Sequence, residues 1–414
     1  MSDVVCAIDI GSANVRFIIA QRLDDDSFQV VGVGTATSGG LKKGGVVNIE
    51  ETVKAISKAV EDAELMSGIE VDSCYLGIGG SHIEGMNSKG VYPILEKGGG
   101  NKEVGPDDIQ AVINSAKAVV IPLDRQVINV LTQTFTVDKQ KGIKDPQNMI
   151  GVRLEVEAHI VTASITAIQN TTKCVERANL FVEKKMYNGL SAVRSVMTPE
   201  EIEAGSLLID IGAGVIDVVL MSGGAPSLIS VLPIGGDTIT NDLALVEKIS
   251  FEMAEEIKLT DGCCWEALLE DENIEILLRG VSGRAPIKLM KRRVCEIFYA
   301  RMREIFEIIK GKVDEIVKEH PLGGNIVITG GGALLTGVVE VAGEVFETQA
   351  VRIGVPALLG GIKGDYRSPE FATVMGLVQE AVDSVAYSDE RGKMRRQSGS
   401  SFGKKIKDIF KNLF

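Results

Sequence analysis

Long apolar runs are missing from this chain of 414 residues. No stretch reaches the ~18 uninterrupted apolar residues that a membrane-crossing helix needs. The first apolar run, in MSDVVCAIDIG, has no basic region before it, so no secretory signal is expected. The six cysteines (Cys6, Cys74, Cys174, Cys263, Cys264, Cys295) contain no C-x-x-C, and the three histidines (His82, His159, His320) lie far apart. Neither a zinc site nor a disulfide framework is indicated. Apolar neighbours around Cys6 and Cys295 predict buried thiols in a reducing cytosol. Hydrophobic residues make up 45% and charged residues 24%. That composition belongs to a globular chain long enough for two or more domains, and excludes a disordered chain, a collagen and a coiled coil.

The formal charge of −13 is unevenly spread. From Asp389 to Phe414 there are eight basic and three acidic residues, +5, which leaves the rest at −18 (36 against 54). An acidic body argues against nucleic acid as a partner. The basic tail needs its own explanation.

The β-branched content of Val4 to Ile10 and Val15 to Ala20 predicts two strands around a Gly11-Ser12-Ala13-Asn14 turn. Another strand (Gln29 to Gly34) and a helix (Ile49 to Met66) follow. Residues 83–157 differ, with Gly/Lys-rich loops, a helix from Pro106 to Val119, and strands at Gln126 to Val137 and Gly151 to Thr162. They read as a small inserted subdomain. A second hairpin opens at Leu207, and Ile209-Asp210-Ile211-Gly212 repeats Ile8-Asp9-Ile10-Gly11 about 200 residues later. The repeat predicts two similar domains, each opening with the same hairpin. Next come Pro233-Ile234-Gly235-Gly236-Asp237, a helix-rich stretch to about Lys318, and a strand at Asn325 to Thr329 ending in Gly330-Gly331-Gly332.

Taken singly, a D-x-G turn is an ordinary hairpin turn. Three glycine-rich strand ends in one chain point further. Glycine lets backbone approach a ligand, and successive N–H groups make anion-binding concavities. Two hairpins, one per domain, could pinch a polyphosphate while the third turn covers the nucleoside. Asp9 and Asp210, each two residues before a turn glycine, could hold a hydrated Mg²⁺ between them.

In order, Asp9-Ile10-Gly11, Asp210-Ile211-Gly212-Ala213-Gly214 and Thr329-Gly330-Gly331-Gly332 resemble the phosphate-1, phosphate-2 and adenosine motifs of the actin/Hsp70/sugar-kinase superfamily. Gly151-Val152-Arg153-Leu154-Glu155, Pro233 to Asp242, Val351-Arg352-Ile353-Gly354-Val355-Pro356 and the amphipathic terminus are similar to the bacterial FtsA cell-division family, over nearly the whole chain. The resemblance implies an α/β, actin-like (ribonuclease H-like, duplicated) two-domain ATPase fold with an inserted small subdomain. Domain 1 would comprise residues 1–82, 158–193 and 361–388, with the insert at 83–157. Domain 2 would comprise 194–360, with a helical partner-binding subdomain at about 238–320. A flexible linker (389–402) and an amphipathic helix (403–414) would follow.

The resemblance also implies ATP with Mg²⁺ in the interdomain cleft. The expected ATP site is Asp9, Gly11, Ser12, Ala13, Asn14, Asp210, Gly212, Ala213, Gly214, Gly235, Gly236, Glu255, Lys258, Gly330, Gly331 and Gly332. Asp9 and Asp210 would hold the metal through water. Glu255 and Lys258, at i,i+3 on one helical face, would touch the ribose or adenine; on sequence alone they read equally well as a surface salt bridge. Two departures stand out. Val215 and Ile216 occupy positions where the superfamily usually has hydroxyl residues. The base nearest the first turn is Arg16, whose alternating position points it away from the nucleotide. ATP binding with slow hydrolysis or none is expected, with no catalytic residue assigned.

In the terminal segment Phe402, Ile406, Ile409, Phe410, Leu413 and Phe414 fall on one helical face, and Lys404, Lys405, Lys407 and Lys411 fill the rest. Twelve helical residues reach only about 18 Å, too short to cross a bilayer. A basic amphipathic helix of this kind lies in an anionic membrane interface; packing on the protein's own body or on a partner helix is the other reading. The family resemblance makes it the membrane anchor of a peripheral protein on the cytoplasmic side of the cell membrane, at the division site. It further implies that a basic region, with Arg284 and Arg301 the candidates, receives the C-terminal peptide of the tubulin-like protein FtsZ. Self-association into filaments and recruitment of later division proteins are implied with it. The competing readings are a related pilus-assembly ATPase, a sugar or acid kinase, and an Hsp70-like chaperone, for which the chain ends too soon.

Overall fold

The computed structural model describes residues 4–25, 27–94, 102–119, 121–269, 274–278, 287–318, 322–361 and 366–397. Two five-stranded sheets share one topology. The first runs Phe181–Tyr187, Ser73–Ile78, Val4–Ile10, Asn14–Arg22, Phe28–Thr37 across the sheet. The second runs Val351–Ile353, Ile326–Thr329, Leu207–Ile211, Ile216–Ser222, Ala225–Leu232. Each is a three-strand antiparallel meander continued by two parallel strands. Both opening strands are buried nearly end to end. Their apolar runs do not alternate because helices or the other lobe cover both faces.

The lobes are joined by two crossing helices. Asn188–Val196 follows the last strand of the first sheet, and Ala372–Gln397 follows the last strand of the second. They meet at Gly376, where an added Cβ would lie 1.8 Å from the Ser191 carbonyl oxygen. Only glycine permits that approach. Ser195 Oγ donates to Ala372 O at 2.6 Å, and Glu380 pairs with Lys184 (2.6 Å) and Arg194 (3.3 Å).

A separate four-stranded sheet interrupts the first lobe, ordered Gln140–Ile143, Arg125–Val137, Arg153–Ser164, Glu84–Pro93. The helix Pro106–Lys117 completes its own small core. The last long strand runs on to Ser164, past the expected edge at residue 157, and Ile150–Gly151 is a separate short strand beside Lys102–Glu103. This insert rests on the edge strand of the second lobe, with Gln133 Nε2 donating to Pro226 O at 2.8 Å and Asn87 Nδ2 to Ser227 O at 3.3 Å.

The helix-rich stretch to Lys318 also holds a short strand pair: Glu275–Leu278 pairs antiparallel with Ile287–Met290 between the helices Phe251–Asp261 and Lys291–Val317. Four-residue strands are too short to show a clear period. The linker expected from residue 389 begins inside a helix, since Ala372–Gln397 is continuous. Glu, Arg, Lys, Met and Gln in 389–397 are good helix formers, and one glycine costs only ~1 kcal/mol once the buried first turns have nucleated the helix. No helix among the described residues is long and apolar enough to cross a membrane. All six cysteines are free and buried.

Candidate functional site

The two hairpins close with the same turn. Gly11 N–H donates to Asn14 O, and Gly212 N–H to Val215 O, both at 3.0 Å. The residue opposite each acid differs: Asp9 faces Arg16 across its hairpin, whereas Asp210 faces Asp217. The crossing helices treat the acids alike. Asn188 Nδ2, at the start of one helix, donates to Asp9 Oδ1 at 3.1 Å. Thr373 Oγ1, in the first turn of the other, donates to Asp210 Oδ2 at 3.2 Å.

The third glycine turn follows Ile326–Thr329. Gly330 has φ +80, and a Cβ there would lie 2.2 Å from Asp210 Oδ1. A side chain at this position would evict the carboxylate, so glycine is demanded by both φ and space. The helix Gly236–Glu247 starts against the second hairpin, with Gly236 N–H donating to Gly212 O and Asp237 N–H to Ala213 O, each at 2.9 Å. On the next helix Lys258 pairs with Glu255 at 2.7 Å and donates to Thr240 Oγ1 at 2.8 Å and Gly236 O at 3.2 Å.

These elements enclose one cleft of about 350 Å³. Every expected ATP-site residue except Gly235 lines it. Gly235 caps the helix behind the lining, where an added Cβ would lie 2.4 Å from Ala213 O. The structure also brings in residues outside the expected set: Gly44, Gly79, Gly80, Asn188, Asp217, Ile239, Leu259, Leu334, Leu335, Pro369, Glu370 and Thr373. Asn188 and Thr373 are far from both acids in sequence and carried no signal. Asp217 had one, since the antiparallel register of the second hairpin, read from its turn, sets it opposite Asp210.

Arg16 corrects an expectation, because it lines the cleft. It pairs with Glu370 at 2.5 Å and lies over the Phe371 ring, 5.1 Å from its centroid. The two replaced hydroxyl positions are also unequal. Val215 lines the cleft, while Ile216 is fully buried in the second lobe's core. Strand alternation turns the second of them away from any ligand.

Burial and crowding of like charges govern the carboxyls. Burial raises Asp9, and nearby Arg16 opposes the rise. Asp210 is pushed up to about 8 by burial and then by Asp217 and Asp9. Asp217 is pushed up to about 7, chiefly by burial, while the 2.8 Å hydrogen bond from Tyr187 Oη opposes it. Two carboxylates sharing a dry site cannot both ionise cheaply unless a cation joins them. Among the described residues no cluster of three or more side chains is placed to hold a metal ion directly.

Other expected residues fall elsewhere. Arg301, on Lys291–Val317, is held by Asp242 and Glu304 on the second lobe, away from the cleft lining. Arg284 lies outside the described residues, as do His320 and the tail positions Phe402, Lys404, Lys405, Ile406, Ile409, Phe410, Lys411, Leu413 and Phe414. His159 is a core residue: burial lowers it to about 4, and its Nδ1 lies 2.7 Å from Asn87 Oδ1.

The duplicated sheets, crossing helices and glycine-lined cleft define an actin-like two-domain protein carrying an inserted subdomain. The PilM–PilN type IV pilus biogenesis complex contains a chain of this fold (TM-score 0.65, 15% identity, covering 91% of this chain and 98% of that one). So does MreB 5 of Spiroplasma citri bound to AMPPNP (TM-score 0.52, 13% identity, 95% and 99%). A family model described as cell division protein FtsA matches residues 207–376, and one described as an SHS2 domain inserted in FtsA matches residues 80–162. The cell division protein FtsA of Pseudomonas aeruginosa is 37% identical over 399 residues, 96% of this chain and 93% of that protein. Those of Borreliella burgdorferi (36%; 91% and 90%) and Escherichia coli K12 (32%; 98% and 96%) are similar over comparable lengths. The chain belongs to the FtsA family of cell-division proteins.

Proposed function

We propose that the cleft binds ATP with Mg²⁺ and that the protein uses this state to polymerise at the inner face of the cytoplasmic membrane. There it tethers the FtsZ ring through its C-terminal amphipathic helix and recruits later division proteins. The observation that carries the reading is the facing of two identical turns, each backed by a buried acid, across one cleft. The backbone N–H groups of Ser12 and Ala13 and of Ala213 and Gly214, at the two turn tips, suit phosphate oxygens. Apolar Ile239, Leu259, Leu334 and Leu335 suit a base, and Glu255 and Lys258 suit the ribose. That MreB 5 of S. citri carries AMPPNP in the same fold supports the nucleotide class.

The residues fit a hydrated cation. Asn188 Oδ1 is buried without a protein partner, and its Nδ2 already holds Asp9. With Asp9 and Asp210 it forms an all-oxygen set able to accept hydrogen bonds from a cation's water shell. Bound Mg²⁺ neutralises phosphate charge. Arg16 lines the same cleft, and its Nε is also buried without a partner, a donor suited to phosphate. Val215 supplies no hydroxyl, so this chain's turns bind and orient phosphate but give no side-chain donor there. Slow hydrolysis follows.

For the partner peptide, an acidic segment would have to displace Asp242 or Glu304 from Arg301. The sequence comparisons favour this reading over a pilus-assembly ATPase or a kinase. Two measurements test it. Asp210→Ala should weaken ATP binding about a hundredfold, some 2.7 kcal/mol; unchanged affinity in calorimetry rules the site out. Deleting residues 401–414 should abolish sedimentation with anionic liposomes and leave ATP binding intact. Undiminished sedimentation removes the tether.

A further inference from the structure

A small hairpin stands at the cleft mouth. Leu41–Lys42 pairs with Gly45–Val46. The two residues of its turn, Lys43 (φ +51) and Gly44 (φ +73), are both left-handed. Such a turn favours Asn or Gly first, and a lysine there is uncommon. The hairpin is anchored on the first lobe. Gly44 N–H donates to Ser12 Oγ at 3.1 Å, and Ser81 N–H to Lys43 O at 3.3 Å. Its tip reaches the second lobe, where a Cβ added to Gly214 would lie 3.2 Å from Lys43 Cα. Lys43 therefore sits between the two phosphate-type turns, one on each lobe.

The cleft's charge gives this position meaning. Its lining holds five carboxyl groups (Asp9, Asp210, Asp217, Glu255, Glu370) and two cations. Both cations are already paired inside it, Arg16 with Glu370 and Lys258 with Glu255. A polyphosphate entering the cleft meets no unpaired cation in the wall. Lys43 is exposed and forms no ion pair with the described residues. A lysine's flexible four-carbon stem spans about 6 Å, enough to bring its ammonium from solvent to the Gly212–Gly214 turn.

We propose that Lys43 contacts the terminal phosphate of the bound nucleotide and makes the cleft prefer a nucleoside triphosphate over a diphosphate. The assignment rests on the ATP reading above. It places a mobile point charge where Val215 offers no donor.

The test measures ATP and ADP dissociation constants, with Mg²⁺, for the full chain and for Lys43→Ala, Lys43→Gly and Lys43→Arg. A charge-assisted contact predicts about a tenfold loss of ATP affinity in Lys43→Ala, with ADP affinity held within about twofold. Lys43→Gly should lose as much as Ala, although glycine eases the turn and keeps the hairpin folded. Lys43→Arg should recover most of the loss. An unchanged ATP-to-ADP ratio in Lys43→Ala, or ATP binding restored by Lys43→Gly, overturns the assignment alone. A wild-type chain that binds neither nucleotide overturns the cleft reading and the assignment together.

Discussion

The two hairpins share a tetrapeptide, a turn, a buried acid and a hydrogen bond from a crossing helix, yet they are electrically opposite. In the first lobe Asp9 lies across from Arg16, whose charge opposes the rise that burial imposes on the acid. In the second lobe Asp210 lies across from Asp217, and each is raised. Duplication preserved the geometry, while one cross-strand position decides whether the acid faces a positive or a negative neighbour. The second half gains most from a proton or a cation between its carboxyls. The repeat thus explains how the cleft is built, and the break in the repeat explains why it favours a cation.

The comparison can be broken most severely where the lobes meet. Gly376→Val puts a branched side chain into the Ser191 backbone. Neither helix can yield without moving a lobe, so the loss should exceed ~3 kcal/mol. Little soluble folded protein is expected by circular dichroism; a normal melting temperature would mean the helices do not cross this closely.

Next in size, Arg16→Gln makes the first lobe resemble the second. It strands Glu370 and removes the charge facing Asp9. Stability should fall by about 2 kcal/mol, less than for a fully buried pair because Glu370 is partly exposed. ATP affinity should drop about tenfold, since a charged donor is lost. Calorimetry showing the stability loss with intact ATP binding would confine Arg16 to a structural role.

The smallest effect makes the second lobe resemble the first. Asp217→Asn keeps an oxygen to accept from Tyr187 and removes the acid facing Asp210. The folded pKa values lie above the unfolded ones, so the carboxyls' contribution is complete below about pH 4 and is lost as pH rises through 7 to 8. Without nucleotide or Mg²⁺, the variant should gain about 1 kcal/mol, or roughly 2 °C, near pH 8.5, a smaller gain at intermediate pH, and almost nothing near pH 4. A gain of equal size at both ends of that range would show that repulsion between the acids is not its source.

Much of the fold was legible because its signals are local. The apolar strands, the repeated Ile-Asp-Ile-Gly and the three glycine turns are contiguous patterns, and backbone geometry at a tight turn leaves glycine few substitutes. The pairing of Glu275–Leu278 with Ile287–Met290 and the helix through residue 397 were not legible. The first is too short to carry a period, and the second depends on nucleation by buried residues upstream. Within the cleft, the signal ended where neighbours come from distant parts of the chain.

By itself, then, the sequence determined two like lobes, an insert, and acids poised at glycine turns. Whether those acids would be neutralised was decided only in the tertiary structure. Asn188, Thr373 and Glu370 reach Asp9, Asp210 and Arg16 from 163 to 354 residues away. Burial and Coulomb interaction depend on distance in space, and the crossing of two helices at Gly376 sets those distances.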